Sequence, residues 1–329
     1  VNYVVGQNEK HDIDRIIDSL TEHSTGKQII ATSVLHSQHF EPSYSKDDRT
    51  RCFLKIQDGC DYFCTYCTIP FARGRSRNAT INDTVALATK ALDEGHRELV
   101  LTGVNIGDFG KSTGETFIDL LQALDTLPYE FRMRISSCEP NLLSDDIINL
   151  VAHSAHIAPH FHIPLQSGSN EVLKIMHRRY TTELFAQRVE TIKKTMPSAF
   201  IGVDCMVGVR GETLQMFEQY YHFVSQLPVS QLHVFTYSER QNTQMLRMDL
   251  EIVPDRERKR RSDIMHLLSQ HKLNDFYNSQ KGKSATVLWE GKQEHHATST
   301  TMAGFTENYI KVHRPFDPTI INTFQQIII

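Results

Sequence analysis

The chain has 329 residues and a formal net charge of −4, with 35 Lys and Arg against 39 Asp and Glu. This balance excludes a protein that coats nucleic acid over its whole surface, so any such contact must be a local patch. No run of about 18 apolar residues occurs, so we expect no membrane-spanning helix. The first residues lack both the layout of a signal peptide and an initiator Met, so we expect a cytoplasmic chain cut from a longer protein.

The N-terminal residues predict a small unit of one strand and one helix. Residues 1–6 are typical of a short strand, and residues 10–20 predict a helix with Ile13, Ile16 and Ile17 on one face. Such a unit is too small to bury a core by itself. Residues 36–50 are polar and contain proline and several serines, so we interpret them as a linker.

From residue 51 the sequence alternates between strand and helix patterns. We predict six strands, at residues 52–57, 98–102, 132–136, 161–165, 200–206 and 231–235. We predict five helices between and after them, at residues 82–94, 117–127, 145–153, 183–196 and 214–227. This alternation predicts an α/β fold of parallel strands with right-handed crossovers. Six strands make an open, partial TIM barrel, whose lateral gap suits a large substrate.

Three cysteines follow the first predicted strand with the spacing C-x3-C-x2-C, namely Cys60, Cys64 and Cys67. Three thiolates suit a 4Fe–4S cubane with one open iron, which a cofactor such as S-adenosylmethionine (SAM) would chelate. Tyr66, directly before the last cysteine, is placed to shelter the adenine side of that cofactor. The alternatives are chance clustering, a disulfide framework and a zinc site, although the nearest downstream histidine for zinc is His96.

Polar and glycine-rich segments follow every predicted strand, at the barrel end where chemistry takes place. The candidate cofactor contacts at these strand tips are Gly103, Val104, Asn105, Ser137, Glu139, Gln166 and Ser167. Each tip is alternatively a tight turn with a helix N-cap, for which Ser144 and Thr213 are suitable. Arg178 is a candidate partner for the methionine carboxylate of SAM, or else an ordinary surface arginine.

The C-terminal part predicts a basic helix and then a small antiparallel barrel. Residues 254–283 hold eight Lys or Arg against four Asp or Glu. In the helix at 254–280, the candidate phosphate contacts are Arg258, Arg260 and Arg261, and the alternative is a solvated helix face. Residues 281–329 contain short strands that are typical of a nucleic-acid-binding barrel. We expect the chain to stop in an unpartnered strand at residues 327–329, so that the barrel is incomplete.

The run from Leu54 to Cys60, followed by Arg73-Gly74-Arg75-Ser76-Arg77, resembles the radical SAM methylthiotransferases, in particular the branch that acts on threonylcarbamoyladenosine in tRNA. The resemblance covers nearly the whole chain and implies five parts. They are the remnant of an N-terminal methylthiotransferase domain (1–35), a linker (36–50), the radical SAM core (51–253), a basic helical connector (254–280) and an incomplete TRAM-like RNA-binding domain (281–329).

The resemblance also implies where SAM binds, and two strand tips depart from the family pattern. The tip residues named above match the family's SAM cradle. Val209-Arg210 stands where the family has Phe-Pro, and Gln241-Asn242 stands where it often has Pro-Gly. Asparagine still tolerates a left-handed turn. The remaining cysteines, Cys52, Cys138 and Cys205, are interpreted as small buried hydrophobes.

The activity implied by the resemblance is methylthiolation of an adenosine beside the tRNA anticodon, through a 5′-deoxyadenosyl radical made from cluster-bound SAM. The implied partners are tRNA and an electron-donor protein, and we expect a monomer. A second 4Fe–4S cluster is expected only in the full-length protein, so this chain by itself should not complete the reaction. Other targets remain open, namely isopentenyl-adenosine in tRNA or a ribosomal-protein aspartate. So does a non-catalytic RNA-binding protein with a structural metal.

Overall fold

The structure is a computed structural model that describes residues 3–18, 28–34, 37, 40–45, 50–295 and 300–329. At the N-terminus, β1 (Tyr3–Val5) lies parallel to β2 (Gln28–Ile30). Helix α1 (Ile13–Asp18) follows a 3-10 turn and is shorter at its start than predicted. The predicted ends at residues 1–2 and 19–20, and part of the predicted linker, lie outside the described residues. The linker also contains a two-residue strand, β3 (Ser43–Tyr44), which pairs with the core.

Six parallel strands form the centre of the molecule, which confirms the predicted alternation. They are β4 (Arg51–Lys55), β7 (Glu98–Thr102), β8 (Arg132–Ile135), β9 (His160–Gln166), β10 (Phe200–Val207) and β11 (Gln231–Thr236). Strands β4, β7 and β8 pair in that order, as do β9, β10 and β11. Two isolated bridges, between Met133 and Ile157 and between Ser137 and His162, connect the β8 segment to the β9 segment. No pairing joins β11 to β4 within the described residues, so the barrel is open between them.

The first predicted strand, 52–57, is in fact two strands. After β4 ends, the chain continues into β5 (Gln57–Asp58), which pairs antiparallel with β6 (Arg77–Asn78). This short ribbon joins the two ends of the segment that carries the cysteines. Residues 59–76 therefore form a closed loop at the carboxyl end of the first barrel strand.

The predicted helices after α1 lie within two residues of their predicted bounds, and two short helices, α2 and α6, were not predicted from the sequence pattern. The helices after α1 are α2 (Ile69–Arg73), α3 (Ile81–Asp93), α4 (Phe117–Asp125), α5 (Asp145–His153), α6 (Asn170–Ile175), α7 (Thr182–Thr195), α8 (Leu214–Gln226) and α9 (Asp255–Gln280). Hydroxyl side chains cap many of their N-termini. Ser144 accepts the N–H of Ile147 and Thr213 accepts that of Met216, which confirms the predicted capping at these two tips.

The core lies between the barrel strands and the surrounding helices. In β10, Ile201, Val203 and Cys205 have no exposed surface and belong to the same apolar cluster as residues of α7 and α8. Because side chains alternate along a strand, the residues between them face the inside of the barrel. Cys52 and Cys138 are also buried, so the prediction of small core cysteines is confirmed.

The C-terminal residues form an antiparallel sheet of four strands in the order β14-β13-β12-β15. They are β12 (Ser284–His295), β13 (Thr300–Thr306), β14 (Lys311–Pro315) and β15 (Phe324–Ile328). The expectation of an unpartnered terminal strand was wrong, because β15 pairs antiparallel with β12 along its whole length. The assignment of this sheet to an incomplete TRAM-like barrel stays a prediction.

A buried charge network holds this sheet against the amino end of the barrel. Arg132 donates to the backbone oxygens of Thr286 at 2.6 Å and Phe305 at 2.9 Å. Glu98 forms ion pairs with Arg132 at 3.3 Å and Arg134 at 3.1 Å. Glu98 and Arg132 are the first residues of β7 and β8. The C-terminal sheet therefore covers the end of the barrel opposite to the cysteines.

Candidate metal centre and cofactor site

The cysteine loop is held by backbone contacts to the basic stretch that follows it. The Cys60 N–H donates to the Gly74 carbonyl at 3.1 Å. Gly59 has a φ of +73°, and a Cβ atom there would lie 1.9 Å from the Arg75 carbonyl oxygen. Glycine is needed at this position both for the left-handed conformation and for the close approach of the two backbones.

The three thiols are partly or fully buried and receive N–H donors. The sulfurs of Cys60 and Cys67 each lie 3.4 Å from a backbone N–H two residues further on. Burial raises the pKa of Cys60 to about 12 and also raises the pKa of Cys64 and Cys67. Charge repulsion from the neighbouring thiols adds to the rise in pKa at Cys60 and Cys67, whereas Arg178 opposes the rise at Cys64. Metal ions would displace these protons, because the thiolate is the ligand.

The three thiols suit a cluster in which each thiolate binds a different iron and the fourth iron stays open. Among the described residues, no group of three or more His, Cys, Asp or Glu side chains is arranged to hold a single metal ion. A cubane does not require that convergence, because each thiolate binds a different iron. The N–H donors to sulfur are also the kind of contact that tunes such clusters.

Arg178 lies in the site and is not a surface arginine. Its side chain is 3% exposed and forms an ion pair with Glu139. Its guanidinium donates to the Cys64 sulfur at 3.1 Å, to the Tyr66 hydroxyl at 3.4 Å and to the Tyr180 hydroxyl at 3.1 Å. Burial raises the pKa of Glu139, against the effect of Arg178. The structure therefore brings three predicted cofactor residues, Arg178, Glu139 and Tyr66, together with one predicted cluster ligand.

Gln57 links the cysteine loop to the second strand tip, and the sequence analysis did not single it out. Its amide nitrogen donates to the Gly59 carbonyl at 2.8 Å and to the Ser76 hydroxyl at 2.9 Å. Its amide oxygen accepts the N–H groups of Val104 at 2.9 Å and Asn105 at 2.8 Å. An amide side chain two residues before the Gly59-Cys60 pair was the available signal in the sequence.

The predicted tip residues lie at one end of the barrel, and two of them have unsatisfied acceptors. The side-chain oxygens of Asn105 and Gln166 are buried without a hydrogen-bond partner. Gln166 also has a φ of +64°, a conformation that is unusual for a residue with a side chain. Buried polar atoms are normally paired, so these two acceptors fit a bound ligand that donates hydrogen bonds. SAM carries such donors on its amino group and its adenine.

The other tip residues have mainly structural contacts. A Cβ atom at Gly103 would lie 2.9 Å from the Gln57 side chain. Ser167 is fully buried, and Ser137 forms one of the two bridges that join β8 to β9. Val104 is 37% exposed. These contacts position the tips, and any contact of these residues with SAM stays a prediction.

The residues beside Tyr66, including Val209 from the family departures, form a second apolar cluster. Tyr66 packs against a group that includes Val209, Met245 and Tyr237. Next to it, Arg210 forms an ion pair with Glu239 at 2.7 Å, which ties two tips together where the family has a proline. Asn242 has a φ of +65°, so the expected left-handed turn at that departure is confirmed.

The structure does not support phosphate contacts from two of the three arginines in α9. The side chain of Arg261 is 4% exposed and is paired with Glu212 at 2.8 Å. The Arg258 side chain is 9% exposed and donates to the Gly208 carbonyl at 3.1 Å. Arg260 is 49% exposed, although it is paired with Glu257. Only Arg260 presents a guanidinium to solvent, because the other two face the barrel.

No helix in the described part of the chain is both long enough and apolar enough to cross a membrane.

Comparison with known proteins agrees with this geometry. The sequence profile of the Radical SAM superfamily matches residues 54–224. The threonylcarbamoyladenosine tRNA methylthiotransferase MtaB of Bacillus subtilis (strain 168) is 35% identical over 317 residues, which cover 95% of this chain and 70% of that protein. The tRNA-2-methylthio-N(6)-dimethylallyladenosine synthase of Clostridium botulinum (strain Hall) is 30% identical over 323 residues, 94% of this chain and 70% of that protein.

A solved structure shares the fold. The radical S-adenosylmethionine methyltransferase TsrM from Kitasatospora setae, with cobalamin and a 4Fe–4S cluster bound, matches with a TM-score of 0.50 and 17% identity. The match covers 59% of this chain and 35% of that one. At this identity the likeness shows the fold alone.

The open barrel, its cysteine loop and the profile match define a radical SAM enzyme, a class that uses a 4Fe–4S cluster and SAM. Within that class, the chain belongs to the tRNA methylthiotransferase family.

Proposed function

We propose that the chain is the catalytic core of an enzyme that methylthiolates threonylcarbamoyladenosine beside the tRNA anticodon. The single observation that carries the proposal is the contact between Arg178 and Cys64, which joins the cysteine loop to the strand tip at Glu139 in one buried site. A non-catalytic protein with a structural metal would have no use for the two unpaired buried acceptors beside that loop.

In this proposal Cys60, Cys64 and Cys67 hold the 4Fe–4S cluster. The cluster and SAM, when bound, supply the reductive cleavage that starts hydrogen abstraction from an unreactive carbon. Arg178 fixes the position of the Cys64 sulfur and carries the positive charge that suits the SAM carboxylate. Gln57 holds the loop at a set distance from the tip at Asn105, so the cofactor would meet a preorganised site.

The oxygens of Asn105 and Gln166 would accept hydrogen bonds from the amino groups of SAM. Ser137, Ser167, Gly103 and Val104 would line the same pocket, and Tyr66 would shelter the adenine. The burial of these oxygens supports the proposal, because a donor there would remove a cost of about 1–3 kcal/mol for each unsatisfied atom.

The domain boundaries follow the same proposal. Residues 1–35 are the end of a methylthiotransferase domain, 36–50 a linker, 51–253 the radical SAM core, 254–280 a connector and 281–329 a TRAM-like RNA-binding domain. In the full-length protein the first of these domains would hold the second cluster. An electron-donor protein would reduce the first cluster, and the enzyme would act as a cytoplasmic monomer on tRNA.

The choice of substrate is supported by four relatives named threonylcarbamoyladenosine tRNA methylthiotransferase, which are 32–35% identical. Relatives named tRNA-2-methylthio-N(6)-dimethylallyladenosine synthase are 30–32% identical. This difference is small, so the substrate has to be tested directly.

Mass spectrometry of nucleosides from tRNA separates these substrates. Cells that lack the full-length gene should lose the methylthio form of threonylcarbamoyladenosine and keep the methylthio form of the dimethylallyl nucleoside. Loss of the second nucleoside instead would assign the chain to the other branch. An unchanged nucleoside profile would contradict a role in tRNA methylthiolation.

Iron analysis tests the cluster ligands. Anaerobically reconstituted protein should be brown and hold about four irons in its SAM-cleaving site. Changing Cys60, Cys64 or Cys67 to Ala should abolish that iron, whereas the matched variant Cys138→Ala, at a buried core cysteine, should retain it. A full cluster in the Cys64→Ala protein would contradict the assignment of these three cysteines as the ligands.

A further inference from the structure

A layer of polar side chains crosses the inside of the barrel. His162 on β9 and Asp204 on β10 are hydrogen-bonded, with 2.7 Å between Nε2 and Oδ1. The ring of His233 on β11 lies against that of His162, with 5.0 Å between centroids. The outward neighbours of these residues on each strand belong to the apolar core, so all three side chains point inward.

This layer borders solvent-accessible space inside the barrel, here called the cavity, and is not a packed core. The side chains of His162 and Asp204 are 29% and 17% exposed, although both lie in the middle of strands. Gly202 leaves room beside His233, because a Cβ atom there would lie 3.1 Å from its Nε2. In ordinary parallel barrels this space is filled by branched apolar side chains.

The cavity has a floor and a connection to the cofactor site. At the amino end, the ring of His160 stacks on Phe200 with centroids 5.4 Å apart and lies tilted against Tyr309 with centroids 4.7 Å apart. Towards the carboxyl end, the backbone N–H of Cys138, the residue before Glu139, donates to the His162 carbonyl at 3.0 Å. The polar layer therefore lies between this aromatic floor and the ion pair of Glu139 with Arg178.

We infer that His162, Asp204 and His233 form the subsite for the N6 substituent of the target adenosine and select a polar, hydrogen-bonding substituent over an apolar one. This inference rests on the proposed function, because it takes the target to be a modified adenosine of tRNA. It adds the residues that distinguish the two classes of substrate.

The hydrogen-bonding capacity of the layer fits a polar substituent. A carboxylate only accepts, so His162 donates to Asp204 from Nε2, and its other ring nitrogen and the second carboxylate oxygen remain for a ligand. Burial lowers the pKa of His233, so at neutral pH its ring carries one donor and one acceptor. The hydroxyl and urea groups of a threonylcarbamoyl substituent match these partners, whereas a dimethylallyl group would leave all of them unpaired.

An aromatic side chain lies beside this layer, at the open edge of the barrel. Phe235 is 52% exposed and lies two residues after His233, on the same face of the edge strand β11. An exposed ring at this position suits stacking of a nucleobase, which does not depend on the substituent. Phe235 would thus stack on the base, and His233 would form hydrogen bonds with its substituent.

The test measures binding of two anticodon stem-loop RNAs that differ only in carrying a threonylcarbamoyl or a dimethylallyl adenosine. Fluorescence anisotropy with the whole chain, at one salt concentration, gives both dissociation constants. We expect wild-type protein to prefer the threonylcarbamoyl RNA by about tenfold or more, and His233→Phe to lose most of that preference. Asp204→Asn changes the shape of the side chain less, and it should also reduce the preference for the threonylcarbamoyl RNA.

Two variants serve as controls. Phe235→Leu should weaken the binding of both RNAs by a similar factor, so the ratio of the two dissociation constants should stay the same. His222→Phe, at an exposed position on α8, should change neither constant. Thermal unfolding of each variant shows whether it has folded. A ratio that survives in both His233→Phe and Asp204→Asn would overturn the inference while leaving the proposed function intact.

Other outcomes affect the proposed function as well. Wild-type protein that prefers the dimethylallyl RNA would overturn both the inference and the proposed substrate. Protein that binds neither modified RNA more tightly than the unmodified stem-loop would overturn recognition of the substituent altogether. In that case, tRNA nucleoside analysis would still report independently on the reaction.

Discussion

The guanidinium of Arg178 lies 3.1 Å from the sulfur of Cys64, although 113 residues stand between them in the chain. Arg178 follows α6, and Cys64 lies in the loop after the first barrel strand. The two are brought together because both segments follow carboxyl ends of parallel strands in one barrel. A cation at this position opposes charge repulsion among the thiolates and balances the buried Glu139 carboxylate.

The first prediction concerns this buried pair. Arg178→Met should lower the free energy of unfolding by about 2–3 kcal/mol, because Glu139 loses its counter-charge and must take up a proton to stay buried. Urea denaturation of the cluster-free protein at neutral pH measures this. Arg179→Met, at the exposed neighbour that bonds the Asp61 carbonyl, should cost less than about 1 kcal/mol. Equal losses in the two variants would contradict the assigned role of Arg178.

The second prediction separates a steric clash from backbone strain at the cysteine loop. Gly59 and Gly114 both have positive φ, but a Cβ atom at Gly114 would meet nothing within 4 Å. Gly114→Ala should therefore lower the free energy of unfolding only by the backbone strain of about 1–2 kcal/mol. Gly59→Ala should cost more and also reduce iron incorporation, since the loop must move away from Arg75. Iron content and unfolding free energy of both variants test this, and normal iron in Gly59→Ala would contradict it.

The third prediction concerns the arginines of α9. Arg261→Met should lower the free energy of unfolding by about 3 kcal/mol, because it leaves Glu212 buried and unpaired. Arg260→Met should cost less than about 1 kcal/mol, since its pair with Glu257 is exposed. If Arg260 contacts tRNA, its loss should reduce the slope of the logarithm of the tRNA binding constant against the logarithm of the salt concentration by about one. An unchanged slope would leave α9 as a structural helix.

The fourth prediction concerns the stability of the protein in acid. Burial opposes ionisation of Glu98, but Arg134 and Arg132 outweigh it and hold its pKa below the ordinary value of 4.5. Its ionised form is therefore favoured in the folded state. That contribution is fully present above pH 4.5 and disappears as the pH falls through the lower folded-state pKa.

Glu98→Gln tests this account. It should be less stable than wild type at neutral pH by about 3 kcal/mol, because Arg132 and Arg134 lose their counter-charge. Its stability should then fall less steeply with acid than that of wild type, and the two curves should approach each other. Glu130→Gln, at an exposed carboxylate paired with Arg97, should follow the wild-type curve. Parallel curves for Glu98→Gln and wild type would contradict the assignment.

Local sequence alone determined the bounds of the barrel elements and the position of the cysteine loop. Hydrophobic periodicity and capping residues such as Ser144 and Thr213 act over a few positions, so they can be recognised from the local sequence. The spacing of Cys60, Cys64 and Cys67 is equally local, and it was enough to indicate an iron–sulfur site.

Tertiary structure alone decided which polar side chains meet. The basic run in α9 has the same sequence pattern whether it faces solvent or the barrel, and burial against Glu212 placed Arg261 inside. Gln57 became a link between two loops only because β4 and β7 are neighbours. The layer of His162, Asp204 and His233 comes from three strands whose side chains share no local signal. The parallel pairing of β9, β10 and β11 aligned them. That register depends on how the whole domain packs, and a local segment does not encode it.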